Sequence, residues 1–129
     1  MSAFGVCWGV ETLFLNDWAL DAPWSNRGVE GVRSDFGISD ADLDGARILI
    51  ASYRLDGYEG AAFVLFERDG KLYEVFASHC SCYGLEGQWE PEEVTAAALR
   101  ANLARGYDFD GCGDELARIL DALEARVVT

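Results

Sequence analysis

The chain has 129 residues, half of them hydrophobic, and its 23 acidic and 10 basic side chains give a formal net charge of −13. That hydrophobic content excludes a disordered acidic tail and predicts one domain, with an irregular, aromatic-rich segment over residues 1–34 and an α+β core over residues 35–129. The charge exceeds the magnitude of about 2–8 that solubility requires in a small domain. It disfavours direct binding to nucleic acid and favours a basic partner protein.

The N-terminal segment contains one strand-like pattern followed by an irregular stretch. Apolar residues alternate from Phe4 to Phe14, which is typical of a half-buried strand. The stretch from Asn16 to Arg33 places Trp18 and Trp24 among turn-forming residues. These tryptophans are either exposed anchors for a partner or satellite residues of the core. We expect neither an export signal nor a membrane-spanning segment, and therefore cysteines that are reduced thiols or metal ligands and not disulfides.

A short helix is predicted from Asp35 to Gly45, with Ser39 as its N-cap. The same residues spell Asp40-x-Asp42-x-Asp44-Gly45, the beginning of a calcium-binding loop. Such a loop needs a bidentate acid at its twelfth position, where this chain has Ala51, so calcium is not expected. The β-rich run from Ala46 to Tyr53 then predicts a strand.

The centre of the chain predicts a β-hairpin closed by Asp69-Gly70, because a type I′ turn needs two central residues that tolerate positive φ. Both faces of the first strand are apolar, so this strand is predicted to be central. The same register places His79 opposite Gly60, where the missing side chain leaves room for a ring or an ion. The other predicted cross-strand pairs are Phe66 with Tyr73, Val64 with Val75, Ala62 with Ala77, Phe63 with Phe76 and Leu65 with Glu74.

Two helices are predicted after the hairpin, one from Pro91 to Arg105 and one from Asp114 to Arg126. Trp89 and Val94 have the spacing of a hydrophobic staple at the start of the first. The predicted fold is therefore α+β, an antiparallel sheet of three to four strands packed by two C-terminal helices. The residues predicted to be buried are Phe63, Val64, Phe66, Val75, Phe76, Leu103, Leu116 and Leu120.

The sequence FVLFERDGKLYEV followed by SHCSCYGLEGQWEPE resembles a family of small acidic proteins encoded by tailed bacteriophages. The likeness covers roughly Asp35 to Arg105, and its most specific part is Ser78 to Pro91. It implies a phage origin and a location in the cytoplasm of the infected bacterial host. It brings no catalytic residues with it.

The cysteine-rich stretch after the hairpin is a candidate metal site. His79, Cys80 and Cys82 offer an imidazole and two thiolates, and Cys112 or Cys7 can supply a fourth ligand for tetrahedral zinc. The C-x-C spacing is less common in zinc sites than C-x₂₋₄-C. The alternative is that these cysteines pack as small hydrophobic residues and no cofactor is bound.

No catalytic residues are predicted, because adjacent His79 and Cys80 on a strand point to opposite faces. We expect a non-enzymatic interaction protein that binds and inhibits a host protein with a basic surface. A nucleic-acid-binding defence factor of a restriction or CRISPR system would be blocked in this way by a charge mimic. One alternative is a small structural zinc domain, and another is a metal-dependent hydrolase using His79 and the carboxylates from Asp108 to Glu115. The predicted partner-binding residues are Glu92, Glu93, Asp108, Asp110, Trp18 and Trp24.

Overall fold

The computed structural model describes residues 12–21, 27–56, 59–79, 84–109 and 111–128. Its elements in chain order are β1 Leu13–Asn16, α1 Gly28–Phe36, a 3-10 turn Asp40–Leu43, β2 Arg47–Asp56, β3 Glu59–Arg68, β4 Lys71–His79, β5 Glu92–Val94, α2 Ala96–Ala104 and α3 Gly113–Val128. The α+β class is as predicted. Within these ranges no helix has the length and apolar character needed to cross a membrane.

The described strands form one mixed sheet in the order β1-β2-β3-β4-β5. β1 runs parallel to β2, with Leu13 opposite Ile50, whereas the other three pairings are antiparallel. The prediction of an antiparallel sheet of three to four strands was therefore incomplete. The chain passes through α1 and the 3-10 turn between β1 and β2, and such a crossover allows the two strands to run in the same direction.

The hairpin register is confirmed in all its predicted pairs, including Gly60 opposite His79. Asp69 and Gly70 have φ values of 55° and 79°, as the two central residues of this tight turn require. β3 is the middle strand, and its residues from Ala62 to Phe66 are all buried. The central position predicted from its two apolar faces is therefore confirmed.

Each face of the sheet is covered by a different part of the chain. On the α1 side, Val32 and Phe36 of α1 pack with Trp18, Leu85 and Phe66. The opposite side, called the α3 side below, is covered by α2 and α3. The buried side chains of that side are Leu49, Ile50, Phe63, Leu65, Leu99, Phe109, Cys112, Leu116, Ile119, Leu120 and Leu123.

Three local predictions were wrong. The stretch predicted to be irregular, Asn16 to Arg33, contains the first two-thirds of α1. The helix predicted to begin at Pro91 begins at Ala96 instead, because Thr95 is its N-cap and accepts a hydrogen bond from Ala98 N over 3.0 Å. Phe76, predicted to be buried, is 44% exposed.

The remaining differences concern smaller features. Leu103 is only partly buried, although it packs against the core of the α3 side. The predicted helix from Asp35 to Gly45 is reduced to the 3-10 turn, where Ser39 and Asp42 form a reciprocal capping box. Asp42 is therefore engaged with the backbone of its own turn.

Candidate functional site

His79 is the last residue of β4, and its side chain faces the α1 side of the sheet. Its ring centroid lies 6.5 Å from that of Tyr53. The room expected at Gly60 is taken by β2, because a Cβ at that position would lie 2.6 Å from the carbonyl oxygen of Arg54. Glycine is thus required there by the close approach of the neighbouring strand and leaves no space for an ion.

A half-buried carboxylate lies near His79. Nε1 of the buried Trp18 donates a hydrogen bond to Oδ2 of Asp35 over 2.8 Å. Burial raises the pKa of Asp35, the hydrogen bond from Trp18 opposes that rise, and the charges of Glu86 and Asp17 add to it. His79 acts in the opposite direction by a smaller amount.

The phenol of Tyr53 lies in the same cluster of side chains, which also contains Asp17, Trp18, Asp35, His79 and Glu86. Burial, followed by the charges of Asp35, Asp17 and Glu86, raises the pKa of Tyr53 to about 12. The phenol therefore stays protonated at neutral pH and is a hydrogen-bond donor, not a base. Apart from His79 and Trp18, no member of this group was predicted as a site residue, since α1, β2 and the loop after β4 bring them together from separate parts of the chain.

The segment 84–90 covers His79 and is held against the end of β4. Gln88 Oε1 accepts from Ser78 N over 3.1 Å, and Gln88 Nε2 donates to Ser78 O and to Gly84 O, each over 2.7 Å. Trp89 stacks on Phe66, with ring centroids 5.7 Å apart. Trp89 thus packs on the α1 side, whereas Val94 packs on the α3 side, so the predicted staple between them is wrong.

The predicted metal ligands are not brought together as a set. Cys112 is buried on the α3 side of the sheet, whereas His79 faces the α1 side. The sheet itself separates them, so Cys112 does not complete a site at His79. Cys7, Cys80 and Cys82 lie outside the described residues. Among the described residues no group of three His, Cys, Asp or Glu side chains is placed to hold a metal ion.

The predicted partner-binding residues fall into three groups. Trp18 is fully buried, so it is a core residue and not an exposed anchor. Trp24 and Asp110 lie outside the described residues. Glu92, Glu93 and Asp108 are exposed.

Glu92 and Glu93 point to opposite faces of the sheet, because neighbouring residues of a strand alternate. Glu93 is opposite Tyr73, which packs on the α1 side. Glu92 is opposite Glu74 and shares the α3 side with it. Glu92 and Glu93 therefore lie on opposite faces of the sheet edge and do not belong to one surface.

Glu74 and Glu92 form a pair of like charges at the edge of the sheet. Burial raises the pKa of Glu74, and the nearby charge of Glu92 raises it further. Oε1 of Glu74 is buried and accepts no hydrogen bond from the described residues. Two carboxylates directly opposite one another destabilise a strand pair, so this arrangement favours a positive charge beside it.

Comparison of the chain with protein-family models, curated proteins and solved structures gives no significant match.

Proposed function

We propose that this protein is a non-enzymatic acidic interaction protein that binds a basic surface of another protein. The observation that carries the proposal is the pairing of Glu74 with Glu92, two acids directly opposite one another at the sheet edge. The repulsion between the two carboxylates is relieved when a cation from a partner approaches them, and this lowers the free energy of the complex.

Two arginines of the described residues support this reading because they are paired elsewhere in the chain. Arg100 binds Asp121 and Glu124 over 2.7 and 2.9 Å, and Arg33 binds Asp40 over 3.0 Å. By contrast, Glu74, Glu92, Glu93 and Asp108 form no ion pair with another described residue. Their negative charge is therefore not neutralised by a described base and can attract a cation of a partner.

The likeness to phage proteins sets the kind of partner that we propose. In the cytoplasm of a bacterial host, such a protein would meet nucleic-acid-binding proteins, whose basic surfaces a charge of −13 attracts. By covering such a surface the domain would prevent nucleic acid from binding there. A restriction or CRISPR defence factor is the class of target we infer.

The test is capture from a bacterial host lysate with the full chain as bait, at about 50 and 300 mM salt, where screening differs strongly. The matched bait carries Glu92→Lys, Glu93→Lys and Asp108→Lys. We expect a basic nucleic-acid-binding protein that is retained at low salt, lost at high salt and lost from the substituted bait. The purified partner should also release its nucleic acid when the wild-type domain is added.

A partner whose binding depends neither on salt concentration nor on the three charge-reversing substitutions would contradict the proposal. Circular dichroism and thermal unfolding of the substituted bait serve as the control. All three positions are exposed, so we expect its fold to be retained.

A further inference from the structure

We propose that Glu74, Glu92, Phe76 and Tyr107 form a binding patch for an arginine side chain of a partner protein. The inference rests on the proposed function, and it adds where the partner docks and which residue type it presents. These four residues are called the arginine patch below.

The arginine patch lies on one face of the sheet. Glu74 and Phe76 are two residues apart on β4, so they share the α3 side with about 7 Å between their Cα atoms. Glu92 lies directly opposite Glu74. The ring centroids of Phe76 and Tyr107 are 6.2 Å apart, which extends the surface toward the end of α2.

The patch has two exposed aromatic rings and one carboxylate oxygen that lacks a hydrogen-bond donor among the described residues. Phe76 and Tyr107 are 44% and 51% exposed, although both rings contact the buried Phe109. Oε1 of Glu74 is buried without a hydrogen-bond donor among the described residues. Exposed rings beside two carboxylates can be covered by a group that is flat, positively charged and rich in hydrogen-bond donors.

Arginine fits this chemistry better than lysine or a metal ion. The guanidinium group is planar, stacks on aromatic rings and donates paired hydrogen bonds to carboxylates. The lysine ammonium is a compact, strongly hydrated charge that gains less from an exposed ring. A hard cation requires a shell of oxygen ligands, whereas aromatic rings form half of this patch.

The charges around the patch also favour a cation. Asp108 is exposed and follows Tyr107 in the chain. Arg105 lines an open depression beside Tyr107 together with Asn102 and Gly106, and its guanidinium is hydrogen-bonded to Asn102 Oδ1. The base beside Tyr107 is therefore already hydrogen-bonded within the chain.

The experiment uses the full chain and two labelled peptides, one of alternating glycine and arginine and one of alternating glycine and lysine. Binding is measured by fluorescence anisotropy at about 50 mM salt, where exposed charges are weakly screened. We expect the arginine peptide to bind about threefold to fivefold more tightly than the lysine peptide, which is the contribution of stacking on exposed rings. Amide chemical-shift changes in the labelled chain should centre on Glu74, Phe76, Glu92 and Tyr107.

The matched variants are Glu92→Gln and Glu93→Gln, which change the net charge equally but lie on opposite faces of β5. Glu92→Gln should weaken the arginine peptide clearly more than Glu93→Gln does. Phe76→Leu, which keeps an apolar side chain but removes one of the two rings, should reduce the preference for arginine over lysine.

The outcomes separate this inference from the proposed function. Equal binding of the two peptides, or equal effects of Glu92→Gln and Glu93→Gln, would overturn the arginine patch and leave a general acidic surface. Binding of neither peptide at low salt would overturn both.

Discussion

The indole Nε1 of Trp18 donates a 2.8 Å hydrogen bond to Oδ2 of Asp35, and this contact joins the turn after β1 to α1. Trp18 is fully buried and contacts Phe36 and Tyr53, with ring centroids 6.0 and 5.3 Å away. Asp35 is only partly exposed, so its carboxylate depends on a protein donor. The bond therefore holds α1 against the sheet.

Trp18→Phe should keep most of the apolar packing but remove that donor. We expect the free energy of unfolding to fall by roughly 1–3 kcal/mol, the cost of leaving a buried polar group without its partner. Urea denaturation gives the value. Asp35→Asn is the matched control, because its amide oxygen still accepts from the indole. If Trp18→Phe left stability unchanged and weakened partner binding, Trp18 would be an interface residue after all.

The pKa shifts of Asp35 and Glu74 predict that both groups stabilise the folded state more as the pH falls toward their ordinary pKa values. Both pKa values are raised in the folded state above their ordinary values of 3.8 and 4.5. The folded state therefore binds these protons more tightly than the unfolded chain does. The resulting stabilisation is fully present below pH 3.8 for Asp35 and below pH 4.5 for Glu74, and it is lost as the pH rises through each folded-state pKa.

Glu74→Gln separates this effect from the general repulsion of an acidic protein. Removing one charge of the Glu74–Glu92 pair should raise the free energy of unfolding at pH 7 by about 0.2–1 kcal/mol. It should also reduce the gain in stability between pH 7 and pH 4.5, the ordinary pKa of a glutamate. Glu93→Gln, opposite Tyr73 on the other face, should change both quantities less. Denaturant titrations at the two pH values provide the measurement, and equal effects of the two variants would contradict the prediction.

Two phenylalanines on neighbouring strands test the assignment of core and surface. Phe66 is fully buried and stacks on Tyr73 and Trp89, whereas Phe76 is 44% exposed. Phe66→Ala should lower the free energy of unfolding by roughly 3–5 kcal/mol, the usual cost for a buried phenylalanine. Phe76→Ala should cost clearly less, since this residue is already 44% exposed to water. Similar losses in thermal unfolding would mean that Phe76 is covered in solution.

The sequence predicted the features that depend on neighbouring residues. Asp69-Gly70 determines the hairpin register because the turn needs positive φ at both positions. The last helix was also predicted well, since its leucines recur at helical spacing and α3 covers Gly113–Val128. These signals are contained within short windows of sequence.

The missed features depend on contacts between distant segments. α1 begins at Gly28 after Arg27, which makes no side-chain capping bond, so no start signal was visible. Pro91-Glu92-Glu93 has the composition of a helix start, yet Glu92–Val94 pairs with β4. Phe76 shows why burial is hard to predict from alternating apolar residues. The alternation identifies the face of the sheet on which a side chain lies, but not whether another element covers it there.

Gln88 determines how the segment 84–90 is held over His79. Its side-chain amide pairs with both backbone groups of Ser78 and also donates to Gly84 O. In Gln88→Glu a carboxylate replaces the amide, so two donors are lost and an anion faces two carbonyl oxygens. We expect the free energy of unfolding to fall by roughly 1–3 kcal/mol, because the carbonyl oxygens of Ser78 and Gly84 lose their donor.

Hydrogen exchange distinguishes a local effect of Gln88→Glu from a global one. The amide of Ser78 donates to Gln88 Oε1 over 3.1 Å, and loosening of segment 84–90 should accelerate its exchange in the variant. Amides of β3, in the middle of the sheet, should change only by the global loss of stability. Glu90→Gln, an exposed change in the same segment, is the control and should leave both rates unaltered. Unchanged exchange at Ser78 in Gln88→Glu would show that other contacts, such as Trp89 against Phe66, are sufficient to hold the segment.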